Sequence, residues 1–234
     1  VLRLWVASVD YSSDVRVGKN IIKQTSESYR KVRNTARYLL GNLHDFDPKK
    51  HTIAYADLPE LDKYMLHRMT EVFAEVTDAY NSYQFFRFFQ AIQNFCVVDL
   101  SNFYLDIAKD RLYISNLDSF RRRSCQTVLA IIIENLAKVI APVLCHMAED
   151  IWQALPYDTG YKSVFQSGWV EMQDKWRVEA NSDALANPLG RSPLQWDVIR
   201  DLRDEVNKVM EQARTAKAIG SSPDAKVLLH VSDG

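Results

Sequence analysis

The sequence predicts an all-α fold, an antiparallel bundle of long helices. Only seven of the 234 residues are glycine, and none of them lies between Gly41 and Gly160. Neither glycine nor proline occurs from Glu60 to Ala141, although a β-sheet would need turn residues within such a stretch. Apolar residues also recur at spacings of three and four through most of the chain, which is the period of an amphipathic helix. Together these observations favour long helices joined by few turns.

Four helices follow in order from this periodicity. The first covers about 29–43, and the second begins with Asp57 as its cap and a proline in its first turn. The third extends from about 83 to 109 and is apolar over so wide an arc that we expect it at the centre of the bundle. The fourth begins near Ser119 and reaches Pro142, where the missing backbone N–H predicts a kink or a restart.

The C-terminal part is predicted to be less regular. Residues 156–193 contain three prolines and three glycines, so we interpret them as an irregular connector packed on the bundle by its tryptophans. A last helix over about 195–219 ends at Gly220, which we expect in the left-handed conformation. The apolar seam of this helix favours antiparallel packing inside a bundle over a separate coiled coil. Residues 225–231 alternate like a short strand.

Composition excludes several classes of protein. The net charge is −1, so nucleic-acid binding would need basic residues sorted onto one face. The three cysteines lie far apart without a CxxC pair, which favours a reducing compartment and argues against a disulfide framework or a zinc ribbon. No apolar run reaches the length of a membrane span. The chain starts at Val1 without an initiator methionine or a signal sequence, which predicts a fragment.

The first concentration of positive charge lies on the predicted helix 29–43. Its candidate binding residues are Arg30, Lys31, Arg33, Asn34 and Arg37. All of them except Lys31 fall at positions i, i+3, i+4 and i+7, opposite the apolar stripe. Such a face could follow a phosphate backbone, with Asn34 able to hydrogen-bond a base or a ribose. An ordinary solvated helix face explains the same pattern, and both interpretations stay open.

A second concentration flanks a short loop that contains Tyr113. Its basic members are Lys109, Arg111, Arg121, Arg122 and Arg123. Three consecutive arginines near a helix start oppose the helix dipole, and such a local conflict is tolerated more readily where a ligand supplies negative charge. Salt bridges to Asp110 and Asp118 are an equally open alternative. Basic residues of the last helix interleave with acidic ones, which is more typical of an exposed, salt-bridged face.

Aromatic side chains could stack on unpaired bases, at about 1–3 kcal/mol per base. Most phenylalanines between 85 and 103 sit at helical spacing and are therefore assigned to the core. The candidates for stacking lie at segment ends or beside polar residues and are Tyr83, Tyr104, Tyr113 and Trp196.

Catalytic and metal-binding constellations are missing from the sequence. Cys145 and His146 are adjacent, which points their side chains apart on a helix, and no second pair completes a metal site. No glycine-rich loop could cradle a phosphate. We therefore expect neither a catalytic residue nor a metal site in this chain, and a helical enzyme with an unrecognised site is the weakest alternative.

Two blocks of the sequence, Leu2–Tyr11 and Tyr29–Leu43, resemble isoleucyl-tRNA synthetases, a family of class I aminoacyl-tRNA synthetases, in their bacterial or organellar form. Tyr29–Leu43 is similar to the first helix of the anticodon-binding domain of that family, and Leu2–Tyr11 is similar to the segment after the KMSKS loop of its catalytic core. Further similar blocks are Asn102–Tyr113, Arg122–Thr127, Ile140–Pro142, Ala148–Trp152, Glu205–Lys208, Glu211–Arg214 and Lys217–Gly220. These blocks cover nearly the whole chain in the order of the family.

The resemblance implies a domain organisation and a role. Residues 1–25 would be the tail of the catalytic core or a connecting segment, 26–220 the helical anticodon-binding domain, and 221–234 the start of a truncated C-terminal unit. The basic residues and tyrosines named above would bind the anticodon stem-loop of isoleucine tRNA. This grip would position the tRNA for ATP-dependent aminoacylation by a catalytic domain of the same protein.

The resemblance also implies properties of the whole protein. It would be a monomeric isoleucine–tRNA ligase that uses ATP and Mg²⁺, located in the bacterial cytoplasm or in a plastid or mitochondrion, without a membrane partner. Zinc would belong to the C-terminal unit that bacterial members often carry. The HIGH and KMSKS motifs are absent from this chain, which is therefore not expected to aminoacylate alone. The alternatives are the anticodon domain of a valyl or leucyl relative and a protein-interaction bundle whose basic stripes are only solvated surface.

Overall fold

The computed structural model describes residues 1–177, 193–221 and 224–230. Helices and turns account for the structure of these residues, and no β-strand occurs among them, which confirms the predicted all-α fold. The chain divides into two compact units, Val1–Val178 and Glu179–Gly234. This division falls inside the segment 26–220 that the sequence predicts as one helical domain.

The first unit is built from helices of very different lengths. Their bounds are α1 Leu2–Ser8, α2 Lys19–Gly41, α3 Pro48–His51, α4 Glu60–Asn81, α5 Phe85–Asn94, a π segment Phe95–Tyr104, α6 Leu105–Tyr113, α7 Phe120–Ile140 and α8 Cys145–Gln153. Helix α2, which corresponds to the first helix predicted from the sequence, begins at Lys19, ten residues before the start that the apolar stripe predicts. Within the described residues, no helix is both long and apolar enough to cross a membrane.

The core lies where α4, α7 and the continuous rod of α5, the π segment and α6 pack together. Phe73, Phe88 and Phe95 are completely buried, and so is Leu129 on α7. Phe73 of α4 meets Phe95 edge to face, with 5.3 Å between the ring centroids, a favourable aromatic geometry. The prediction that the phenylalanine-rich helix is central is therefore confirmed.

The start of α4 differs from the prediction. Asp57 does not cap this helix, because it closes a short 3₁₀ turn at Tyr55–Asp57 and Pro59 occupies the capping position without a side-chain bond. The fourth helix follows the prediction: Ser119 caps α7, its Oγ accepting a hydrogen bond from the backbone N–H of Arg122 at 3.4 Å.

The π segment is a feature that the sequence pattern does not reveal. A π turn leaves carbonyl groups without their usual partner in an α-helix. The carbonyl oxygen of Cys96 here accepts hydrogen bonds from Ser101 Oγ at 2.7 Å and from Thr35 Oγ1 of α2 at 3.3 Å. Because Thr35 and Ser101 supply these bonds, the π segment is held in this conformation against α2.

The connector after α8 packs through its tryptophans, as the sequence predicts for its described part, 156–177. Trp176 is buried, and Trp169 Nε1 donates to Thr77 Oγ1 of α4 at 3.1 Å. Short 3₁₀ turns lie at Val164–Gln166 and Asp174–Trp176. The rest of the predicted connector, 178–192, lies outside the described residues.

The second unit contains α9, Pro193–Thr215. The left-handed residue that ends it is Lys217, with φ 57, and not the predicted Gly220. The backbone N–H of Ala218 donates to the carbonyl of Ala213 at 2.9 Å, which is the six-to-one bond of a Schellman motif. Residues 224–230 do not form the predicted strand and instead lie along the apolar face of α9.

Candidate nucleic-acid interface

The basic face of α2 is present as the sequence predicts. The residues that point into the core are Val32, Thr35, Ala36 and Leu39, which are buried, so the residues between them must face outward. Lys31, Arg33, Asn34 and Arg37 are exposed. Arg30 is also exposed and forms an ion pair with Glu27, with 2.9 Å between Nη1 and Oε2.

Arg33 and Arg37 differ from most other arginines of the first unit in their surroundings. Neither makes an ion pair with any residue that the structure describes. The two arginines lie one helical turn apart on α2. Two neighbouring guanidinium groups repel each other, so binding of a polyanion that neutralises both relieves this repulsion. Surface charges alone define the sign of a ligand and not its identity.

A groove runs beside this face, between α2 and the wall formed by the π segment and α6. Its volume is about 460 Å³. The lining residues are Lys31, Asn34, Thr35, Tyr38, Val97, Ser101, Asn102, Leu105, Asp106 and Lys109. Three candidate residues from two distant parts of the sequence, Lys31, Asn34 and Lys109, are thus brought together. The Nζ of Lys109 bonds Asp106 Oδ1 at 2.6 Å, so that its charge is shared within the wall.

Tyr113 lies at the end of α6 beside the last turn of α2. Its side chain is exposed, and its hydroxyl accepts a hydrogen bond from Asn42 Nδ2 at 3.4 Å. Burial raises the pKa of Tyr38 well above its ordinary range, and the neighbouring Tyr113 hydroxyl raises it further. Tyr38 therefore stays protonated and leaves the wall of the groove uncharged at that point.

Arg111 and Tyr104 are not at the surface, which corrects the prediction that they contact RNA. Both are buried around Asp62, whose own exposure is 0%. Arg111 Nη1 and Nη2 donate to the two oxygens of Asp62 at 2.7 and 2.6 Å. The hydroxyl of Tyr104 donates to Asp62 Oδ1 at 2.8 Å. The charged arginine is neutralised inside the fold, and the ring of Tyr104 is covered by core residues and cannot stack on a base.

Arg122 and Arg123 are likewise buried and do not form the predicted phosphate site. Arg122 Nη1 and Nη2 donate to the carboxylate of Asp45 at 2.5 and 2.8 Å. Arg123 bonds Asp45 Oδ2 at 3.2 Å and Asp118 Oδ1 at 2.7 Å. The hydrogen bond from Arg122 holds the pKa of Asp45 well below its ordinary range, although desolvation opposes the shift. Of the salt bridges considered as the alternative, the one to Asp118 is present.

Arg121 is the member of the arginine triplet that faces solvent. Its carbonyl oxygen accepts a hydrogen bond from Arg111 Nε at 3.1 Å, which fixes the backbone while the side chain points outward. Arg121 therefore stays a candidate residue, together with Lys109 and Tyr113 at the same end of the bundle.

Tyr83 does not join the other candidates. It is exposed in a left-handed conformation before α5, with φ 56, and its carbonyl accepts a hydrogen bond from the Tyr11 hydroxyl at 3.0 Å. Tyr83 and Tyr113 lie at opposite ends of three consecutive helical segments of 10, 10 and 9 residues. At the rise of a helix, this length places the two residues roughly 40 Å apart. A shared contact with one unpaired base is excluded by this distance. Trp196, the remaining stacking candidate, belongs to α9 in the second unit and is half-buried.

Tyr113, which sequence reasoning named, belongs to an exposed apolar surface at the end of α6 whose other members sequence reasoning missed. We call it the apolar rim and define it as Tyr113, Ile114, Leu117 and Phe120, whose exposed fractions are 65, 79, 63 and 50%. The signal was present in the sequence as large apolar residues outside any helical period in a short loop. Sequence reasoning also missed Tyr38, which lines the groove, and Asn42, which bonds Tyr113. Only tertiary packing against α2 brings these residues to the site.

Metal-binding side chains do not cluster in the described part of the chain. No group of three or more His, Cys, Asp or Glu side chains there could hold a metal ion. Cys96 and Cys125 are buried, and Cys145 is half-buried; all three are free thiols. Burial raises the pKa of both Cys96 and Cys125 to about 12, which keeps them protonated and unreactive.

Comparison with known proteins identifies the class. The family described as "Anticodon-binding domain of tRNA ligase" matches residues 62–229. The chain belongs to this family of anticodon-binding domains.

Several similar relatives carry one name. The isoleucine–tRNA ligase of Crocosphaera subtropica is 70% identical over 233 residues, and those of Rippkaea orientalis and a Synechococcus strain are 69% and 66% identical. Each comparison covers 100% of this chain but 23% of the relative. The chain therefore spans less than a quarter of the length of these curated relatives.

Proposed function

We propose that the chain binds the anticodon arm of isoleucine tRNA as part of an isoleucine–tRNA ligase. The observation that carries this proposal is the exposed face of α2, where Arg33 and Arg37 lack ion pairs with the described residues, next to the groove that Lys31 and Asn34 line. Guanidinium groups spaced by one helical turn suit contacts to successive phosphates. The amide of Asn34, which lines the groove, can accept and donate hydrogen bonds to a base or a ribose.

The role in the whole protein follows from this grip. Binding the anticodon arm fixes the orientation of the tRNA, so that its acceptor end reaches a catalytic domain that carries out ATP-dependent aminoacylation with Mg²⁺. The names of the relatives support isoleucine as the amino acid and isoleucine tRNA as the partner. Because these relatives are cyanobacterial, we place the protein in a bacterial cytoplasm, as a monomer, and assign zinc, where present, to a unit beyond this chain.

The test is a charge reversal on α2. We expect Arg33→Glu with Arg37→Glu to weaken binding of isoleucine tRNA, because each arginine that contacts a phosphate releases counterions on binding. The slope of log K against log salt should become shallower by about 0.7–0.9 for each phosphate that the variant no longer neutralises. Fluorescence anisotropy of labelled tRNA over a salt series measures both the affinity and the slope.

The matched control reverses two charges elsewhere on the first unit. Lys162→Glu with Lys175→Glu changes the net charge by the same amount at exposed positions of the connector, and this variant should keep the salt slope of the wild type. If both variants bind tRNA more weakly by the same factor, the change in net charge alone would explain the effect of the α2 substitutions. Unchanged affinity of the α2 variant for tRNA would contradict the proposal that this face binds tRNA.

A second experiment addresses catalysis by the whole enzyme. With the same α2 substitutions in the full-length ligase, the KM for tRNA should rise, while isoleucine activation measured by ATP–pyrophosphate exchange should stay unchanged. A loss of exchange activity would place these residues in the folding or chemistry of the catalytic domain and contradict a role in gripping the tRNA.

A further inference from the structure

We propose that Thr35 and Ser101 are positioning residues for tRNA, whose hydroxyl groups fix the distance between the two walls of the groove beside α2. We call the group formed by Thr35 Oγ1, Ser101 Oγ and the carbonyl oxygen of Cys96 the hydroxyl bridge. The inference rests on the proposed function and deepens it, because it concerns the same groove. Neither hydroxyl has to contact the tRNA, since both act through the side chains of the walls.

The hydroxyl bridge lies at the floor of the groove and joins its two walls. Thr35 lines the groove although its exposure is only 4%, which places it at the bottom of the α2 wall. Ser101 lines the groove from the opposite wall, in the π segment. The two hydroxyl oxygens are 3.2 Å apart, and the Cys96 carbonyl oxygen is 3.3 Å from Thr35 Oγ1 and 2.7 Å from Ser101 Oγ. Three oxygen atoms from two elements thus lie within hydrogen-bonding distance of one another.

The number of protons makes Thr35 the link between the walls. Each hydroxyl carries one proton and can also accept hydrogen bonds. The short distance from Ser101 Oγ to the Cys96 carbonyl places the Ser101 proton there, inside the π segment. Thr35 Oγ1 then has three acceptors within reach: the Lys31 carbonyl of its own helix at 3.1 Å and the two oxygens of the π segment. A helical threonine commonly bonds the carbonyl four residues before it, and the two additional acceptors let this one bond across the groove.

The π segment gives the hydroxyl bridge an effect on the wall that follows it. A π turn holds one residue more than an α turn, and each residue turns a helix by about 100°. A return to regular α geometry would therefore rotate the residues after the π turn relative to those before it. Asn102, Asp106 and Lys109 follow the bridge and line the groove together with Lys31 and Asn34 of α2. A ligand that contacts both walls binds more tightly when they are already in place.

Other polar bonds of the rod point to the opposite side. Tyr104 and Arg111 bond Asp62 of α4, and Asp99 Oδ2 accepts a hydrogen bond from Arg68 Nε of α4 at 3.3 Å. These bonds hold the rod against α4. They leave its separation from α2 at the groove to the hydroxyl bridge and to the packing of apolar side chains.

The test removes one hydroxyl while keeping the shape of the side chain. Thr35→Val should weaken binding of isoleucine tRNA to the full chain by about 2- to 12-fold, the loss expected for one hydrogen bond. Thr35→Ser keeps the hydroxyl and should bind within about twofold of the wild type. Thr70→Val is the matched control, because Thr70 is also buried in a helix and bonds only the Leu66 carbonyl four residues before it among the described residues. This control should leave the affinity unchanged.

A second variant covers the case in which Thr35→Val does not fold. Ser101 is exposed, so Ser101→Ala leaves the core intact and removes the other hydroxyl of the bridge. It should weaken tRNA binding to a similar extent, and hydrogen exchange of the backbone amides over residues 97–102 should become faster without tRNA. Exchange at the wild-type rate would overturn the bridge as the element that holds this wall.

Three readouts separate positioning from direct contact and from loss of stability. The slope of log K against log salt should be the same in Thr35→Val as in the wild type, because no phosphate contact is removed. In a Lys109→Gln background Thr35→Val should weaken binding less than in the wild type, because a side chain that the bridge positions is already lost. In the full-length ligase, Thr35→Val should raise the KM for tRNA and leave ATP–pyrophosphate exchange unchanged.

The outcomes distinguish the two proposals. If the wild type binds no tRNA, the proposed function fails and the positioning role fails with it. If tRNA binding depends on Arg33 and Arg37 but is unaffected by Thr35→Val and Ser101→Ala, the anticodon-arm proposal stands and the positioning role is overturned. Equal weakening by Thr70→Val, or strictly additive effects of Thr35→Val and Lys109→Gln, would also overturn it.

Discussion

Asp62 is the residue on which three parts of the first unit depend. It lies on α4 with 0% exposure and accepts two hydrogen bonds from Arg111 of α6 and one from Tyr104 of the π segment. A buried carboxylate is tolerated only when its charge is paired and its oxygens are hydrogen-bonded. The arrangement selects one register of the rod against α4, since any shift would leave the charges unpaired.

Asp62→Asn tests this dependence. We expect it to destabilise the chain by about 3 kcal/mol or more, because the guanidinium of Arg111 is left buried without a counter-charge. Asp106→Asn removes a carboxylate from an exposed pair with Lys109 and should cost less than about 1 kcal/mol. Urea unfolding followed by tryptophan fluorescence gives both values. Equal, small effects in the two variants would show that the buried pair adds nothing to stability.

Asp45 predicts how stability changes with pH. Its pKa in the folded chain lies below the ordinary value of 3.8, chiefly because of its hydrogen bond to Arg122. A lowered folded pKa contributes stability above the ordinary pKa, and this contribution is lost as the pH falls through the folded value. Asp45→Asn should therefore be less stable than the wild type at neutral pH, and the difference should narrow as the pH falls below 3.8. Urea midpoints over a pH series check this expectation, and a difference that is constant with pH would contradict it.

Whether the exposure of a candidate residue could be predicted from the sequence depends on how close in the sequence its partners lie. Arg33 and Arg37 could be assigned to the surface from the sequence, because the burial of a helix face is set by neighbours three and four positions away. Arg122 and Arg111 could not, because their partners Asp45 and Asp62 lie 77 and 49 residues away. Charge repeats in a sequence do not reveal a counter-charge that only tertiary packing supplies.

At the scale of elements, periodicity predicted the helices better than their ends and irregularities. The apolar arc of the third helix identified its central position, but the π segment Phe95–Tyr104 was not foreseen. Its stability depends on bonds to the Cys96 carbonyl from Ser101 and from Thr35 of a different helix. The cap of α4 was misassigned for a related reason, since Asp57 takes part in a competing 3₁₀ turn.

Ser119 provides a test at the start of α7. Ser119→Ala should destabilise the chain by about 0.5–1 kcal/mol, because the backbone N–H of Arg122 loses its side-chain acceptor. Ser119→Gly should cost only a few tenths of a kcal/mol, since glycine is tolerated at this position. Thermal unfolding of the two variants side by side measures the difference. A larger loss in the glycine variant would show that backbone freedom in the loop, and not the cap, dominates.

At the scale of the whole molecule, the first unit contains its own hydrophobic core. Its completely buried residues are drawn mainly from α2, α4, the rod and α7, and all of these elements lie before Val178. The second unit presents exposed apolar residues on α9, among them Val198 and Val209. The sequence pattern predicted the seam of α9 without revealing that the chain divides before it.

A shortened chain tests the independence of the first core. Residues 1–178 expressed alone should unfold in one cooperative transition, because the packed helices are all retained. A chain that ends at Asp118 lacks α7 and with it Leu129 and Ile132, and it should show no cooperative transition. Circular dichroism during heating distinguishes the two. A gradual transition in the 1–178 chain would show that the first unit does not fold by itself.

The continuous rod from Phe85 to Tyr113 sets both a length and a rotational phase between its two ends. One end packs against α1, and the other presents Tyr113 next to Asn42. Each inserted residue would turn everything beyond it by about 100°, so that Tyr113 would leave Asn42 and Arg111 would leave Asp62. Loops absorb such insertions, but this rod does not. We therefore expect that length differences among members of this family avoid residues 85–113 and accumulate in segments such as 9–18.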